Sequence, residues 1–160
     1  MVMPVLIPLL AACGSPSHED MVRQSSALST AIRDYDTYAT VTLPQQDTIP
    51  RDVARQIEPA RAKFEAGIKA WLDATNDWDL GTEPTGGAPS LPALLRFNEA
   101  LTRWRGLQEW FVDQVTGCAG KKSLHDCIGG DPDYTAWQQA FAAMGSAAEV
   151  LNADAATSDA

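Results

Sequence analysis

Basic residues are scarce in this chain. Lys and Arg number 12 against 21 Asp and Glu, giving a formal charge of −9 over 160 residues. From Asp126 to Ala160 there are six acids and no Lys or Arg. Neutralising phosphates takes clustered cations, so this balance argues against a nucleic-acid-binding surface. It also sets the chain against anionic lipid headgroups. Long apolar runs are missing too: none approaches the roughly 18 residues of a spanning helix. Sustained apolar–polar alternation is absent, which removes the main sign of strands. Histidine is limited to His18 and His125, and neither has a partner at dyad or metal-ligand spacing. No G-x-S-x-G nucleophile motif occurs. What the chain does have is a 45% hydrophobic fraction, enough for the packed core of one domain.

That apolar content recurs at helical spacing in four segments. The first spans about Glu19–Thr40, with Met21, Leu28, Ile32, Tyr35 and Ala39 on one face. The second spans about Arg51–Trp78, with Val53, Ile57, Ala60, Phe64, Ile68, Trp71 and Trp78. Pro59 lies inside it and predicts a kink or break, because its ring clashes with the carbonyl of Arg55. The third spans about Leu91–Thr116, capped by Ser90 and with Pro92 in its first turn. Its face is Leu94, Phe97, Leu101, Trp104, Gln108, Phe111 and Val115, and Gly117 is its expected stop. The fourth spans about Pro132–Asn152, capped by Asp131, with Tyr134, Trp137, Phe141, Met144, Ala148 and Leu151. The intervening loops permit antiparallel neighbours. The expected fold is therefore all-α: an up-down-up-down four-helix bundle over residues 19–153, with a fraying tail at 154–160.

The N-terminus reads differently. Apolar residues run from Pro4 to Leu10, followed by Ala11, Ala12, Cys13, Gly14 and the polar Ser15-Pro16-Ser17-His18. Leu10-Ala11-Ala12-Cys13 resembles the lipobox of bacterial lipoproteins. The resemblance covers about a dozen residues and implies cleavage between Ala12 and Cys13, with residues 1–12 as signal peptide. It further implies a diacylglyceryl group on the Cys13 thiol and residues 13–18 as a lipidated tether. Two acyl chains suffice for a stable anchor, here on the extracytoplasmic face of a cell membrane. The leader departs from the pattern: Met1-Val2-Met3-Pro4 has no Lys or Arg, and only twelve residues precede Cys13. That shortness is consistent with a start upstream or a clipped reading frame. The other reading is an apolar N-terminus that packs on the fold with a chance cysteine.

Two further cysteines, Cys118 and Cys127, are an even number outside the cytoplasm and read as one disulfide closing the loop between the third and fourth helices. A ring of that size stabilises by about 2–3 kcal/mol. Zinc held by Cys118, His125 and Cys127 is the sharper alternative, but the spacing is not C-x₂₋₄-C and no fourth ligand is evident. Asp77, Asp79 and Glu83 beside Gly81 resemble a calcium loop but miss its register. Arg61, Glu65, Lys69 and Asp73 step by four with alternating sign, as do Arg105, Glu109 and Asp113 more briefly. These are the marks of an ion-paired solvent face.

Trp110 stands apart. At about 100° per residue it lies roughly 120° from the face marked by Trp104, with Gly106 one turn before it. An exposed Trp beside a Gly notch is a candidate interface; the plainer reading is that Trp110 fills a helix seam. No catalytic residue, metal ligand or cofactor is assigned, and an enzyme is not expected. The expected function is a lipid-anchored binding or adaptor module with an envelope protein partner. The alternative is a carrier or sensor of a small apolar ligand among Trp71, Trp78, Trp104 and Trp137.

Overall fold

The computed structural model describes residues 17–157. The expected signal peptide, Cys13 and most of the tether lie outside the described residues. The chain is all-helical: among the described residues no strand occurs, only an isolated bridge between Thr85 and Ala88. No helix among them is long and apolar enough to cross a membrane.

Helix α1 (His18–Asp36) starts at Ser17, whose hydroxyl accepts the Asp20 N–H, and Glu19 and Asp20 oppose the helix dipole. It runs on into a π-helical segment, Thr37–Thr42, closed by the Leu43 N–H donating to the Tyr38 carbonyl at 3.0 Å. Tyr35, Ala39 and Leu43, four apart, are all buried. A spacing of four drifts around a 3.6-residue helix, and the wider turn offsets the drift. The break expected near Pro59 is present. Helix α2 (Arg51–Ala54) ends before it, and α3 (Ile57–Thr75) begins so that Pro59 falls in the first turn. There its missing N–H costs nothing.

Helix α4 (Leu91–Cys118) opens as expected, with the Ala93 N–H donating to Ser90 Oγ at 3.3 Å. Its end is displaced from the expected stop at Gly117 to Cys118, and Gly120 takes the left-handed turn at φ +73°. A short α5 (Leu124–Ile128) follows, then α6 (Pro132–Thr157). The expectation of a free tail from residue 154 is corrected here as far as Thr157. Asp154 accepts from both the N–H and the hydroxyl of Ser90, at 3.2 and 2.9 Å, and Ala155 is fully buried. The last turn of α6 is thus needed by the first turn of α4.

Helix α4 lies along α6, and α1 packs against both α6 and α3. Between α3 and α4 the contact is made by large rings, Phe64 edge-on to Trp104 at 5.0 Å and Trp71 edge-on to Phe97 at 5.4 Å. Outside those rings Arg105 reaches Glu65 with two hydrogen bonds. Glu65 therefore does not follow the expected pairing within its own helix, whereas Lys69 does bond Asp73. The expected apolar faces of α1, α3, α4 and α6 supply one continuous core.

Each end of the molecule is tied by a short strap. At one end the Ile49 N–H donates to the Lys122 carbonyl at 2.9 Å and its carbonyl accepts from Gly120 at 2.7 Å. Cys118 and Cys127 stand at disulfide distance in the same loop, with Cα atoms 6.2 Å apart, inside the range such a bond needs. At the other end, Gly86 and Gly87 turn the 85–88 hairpin at φ +56° and +86°. A Cβ on Gly87 would clash with His18 Nδ1, so the hairpin sits directly on the start of α1.

Candidate functional site

The centre of the core holds a chain of polar groups. Gln108 on α4 is 3% exposed. Its Nε2 donates to the Tyr35 hydroxyl on α1, and its Oε1 accepts from Trp137 Nε1 on α6 at 2.8 Å. One amide thus joins three helices. Aromatic rings close around it: Phe111 lies flat on Trp137 with centroids 4.0 Å apart, and Trp137 stacks on Phe141 at 5.5 Å. Trp104 is 0% exposed and meets Tyr35, Phe64 and Phe141 within 5.8 Å. Its Nε1 has no hydrogen-bond partner. Trp71 Nε1 reaches the buried Ser25 hydroxyl at 3.5 Å.

Burial governs the phenols. It raises Tyr35 well above its ordinary value, against a smaller opposing pull from the Gln108 hydrogen bond. It pushes Tyr38 from 10.0 up to about 12 and raises Tyr134. A phenol raised by folding favours the neutral form, so its stabilisation is intact below pH 10 and is lost as pH climbs toward 12. Helical signal and tyrosinate absorbance are therefore expected to change together between pH 10 and 12. Reversible phenol titration near pH 10 with helicity unchanged would contradict that. Among the acids, Asp20 is held low by the Ser17 hydroxyl and then by the Arg23 guanidinium.

On the surface, a half-open groove of about 580 Å³ runs between α1 and α6. Ile32 and Arg33 line it from α1, and Gly145, Ser146, Glu149 and Ala153 from α6. Space beside Gly145 is open for 4 Å. From 142 to 157 the exposed positions of α6 are alanine, serine, valine and threonine, with Glu149 alone charged. The outward faces of α3 and α4 instead carry ion pairs. This face was missed in the sequence, because small residues register weakly in a search for apolar periodicity.

Gly106 is exposed with open space around it, and Trp110 is half-buried and packed on the core. Val112, not counted on the expected α4 face, is buried as well. His125 is exposed on α5, folded over Gly129, and His18 lies against the 85–88 hairpin at the opposite end. The structure brings Cys118 and Cys127 together but does not join His125, Asp77, Asp79 or Glu83 into a donor set. No group of three or more His, Cys, Asp or Glu among the described residues could hold a metal ion. The α1/α6 groove is lined by none of Trp71, Trp78, Trp104 and Trp137. In comparison with known proteins, no family model, curated protein or solved structure matches this chain.

Proposed function

We propose that this chain is a lipid-anchored extracytoplasmic protein of the bacterial envelope, acylated on Cys13, that serves as a binding or adaptor module for another envelope protein. Its four long helices form an up-down-up-down bundle, with a Cys118–Cys127 disulfide closing the loop between the third and fourth. In support, α1 packs on α3 and α4 on α6, ring contacts and the Arg105–Glu65 pair join α3 to α4, and α1 meets α6 to complete the ring. The observation that carries the binding role is the outer face of α6, short-chained and nearly uncharged beside the α1/α6 groove in a protein of charge −9. Short side chains let a partner helix approach closely, and the Gly106–Trp110 surface is the second candidate. The ligand-carrier alternative finds less support, since the tryptophans it invokes pack on other rings.

Two experiments test this reading. Cys13→Ser is expected to abolish the acyl mass and move the protein from membranes to the soluble fraction by about tenfold or more. An unchanged distribution would end the anchor reading. Photo-cross-linkers encoded at Ser146 and Ala153 in cells are expected to trap one discrete envelope protein. Adducts at Trp110 alone would move the interface to α4, and none at any of the three would sink the adaptor role.

A further inference from the structure

Four large apolar side chains are exposed among the described residues: Val41, Leu91, Leu95 and Val150. Three of them lie toward one end. Leu91 opens α4, directly after Ser90, which is tied to Asp154 near the end of α6. Leu95 follows one turn later and is 59% exposed. Val150 is one turn before Asp154, in a shallow groove that it shares with Arg96. Arg96 is exposed beside Leu95. Val41 lies on the π-helical segment at the far end of α1.

The same end receives the chain from Cys13. The 85–88 hairpin, three residues before Leu91, sits on His18. Ser17 is therefore near the start of α4. Cys13 is four residues before Ser17, a reach of at most about 14 Å. Leu95 is only about 6 Å further along α4 than Leu91. An anchor at Cys13 thus keeps Ser17, at this end of the bundle, within about 14 Å of the lipid surface. A leucine pair one turn apart, flanked by an arginine whose stem can lie along the headgroups, suits an interfacial position. The acidic balance of the chain favours a zwitterionic surface over an anionic one.

We infer that the outer edge of the first two turns of α4, Leu91 and Leu95 with Arg96, rests in the headgroup layer of the bilayer carrying the anchor. The inference rests on the lipid-anchor reading of Cys13. It makes the bundle a body held at a fixed tilt, not one swinging freely on its tether.

The test places an encoded environment-sensitive fluorophore at Leu95 or, as a control, at Val41, in the full chain extracted from native membranes and reconstituted into phosphatidylcholine vesicles. Both positions are exposed, so the core is untouched. Intact mass first reports whether Cys13 is acylated. Nitroxide-labelled phosphatidylcholine is expected to quench position 95 about threefold more than position 41, with blue-shifted emission at 95 alone. Acylated protein quenched equally at both positions overturns the inference while leaving the anchor intact. Absence of acyl mass overturns the anchor reading instead. In that case the Cys13 thiol is coupled to a maleimide lipid in the same vesicles. Preferential quenching at 95 then upholds the docking surface, and equal quenching rejects it.

Discussion

Trp104→Ala is expected to lower the unfolding free energy by about 3–5 kcal/mol, a large share of the roughly 5–15 kcal/mol that holds a typical domain. Trp104 is fully buried at the meeting of α1, α3 and α6, against Tyr35, Phe64 and Phe141. Truncation removes the ring that spans from α4 to α3, where side chains rather than close backbones make the contact. Rigid aromatic neighbours cannot collapse into such a void. Trp104→Phe is a sharper probe. Because the indole N–H has no partner, its loss removes a desolvation penalty, and the net cost falls to about 1–2 kcal/mol. Denaturant unfolding followed by circular dichroism measures both. Equal losses for alanine and phenylalanine would mean that the N–H is hydrogen-bonded after all.

Gln108→Leu is the second large effect, at about 2–4 kcal/mol. Leucine keeps most of the volume but strands Trp137 Nε1 and takes away the donor to Tyr35, and each orphaned buried group costs about 1–3 kcal/mol. The cost should shrink by roughly 1 kcal/mol in a Tyr35→Phe background, where one of the two partners is already gone. Strict additivity of the two substitutions would show that the amide and the phenol are not coupled. A neutral Gln108→Leu would show that the site serves packing alone.

The faces of the helices were legible in the sequence because large apolar and aromatic residues repeat at helical spacing, and the core is built from them. Pro59 announced its own break. Gln108 could be placed on the buried face of α4, but its partners come from helices far away in the chain, and no spacing encodes that meeting. The π-helical segment was hidden for a related reason: Ala39 and Leu43 at a spacing of four suit an α-helix nearly as well. The tail looked free because Asp154 reads as a solvated acid until Ser90 is brought beside it. Glu65 looked like a partner for its own helix, and Arg105 is found only across the α3–α4 seam. As for the candidate site, Cys118 and Cys127 signalled themselves by number and loop. The α1/α6 groove did not, since alanines and glycines leave an opening by what they lack.

The packing of α1 on α6 places the first and last described helices side by side. During synthesis, α3 can cover part of Tyr35 as soon as it emerges, but the side of α1 that carries Ile32 must wait for the 26-residue α6. The intervening helices can meet one another first, but the ring cannot close until α6 has emerged. For a chain exported unfolded, as the proposed envelope role requires, that delay would keep the membrane channel clear: the structure that would jam it needs α6 to arrive.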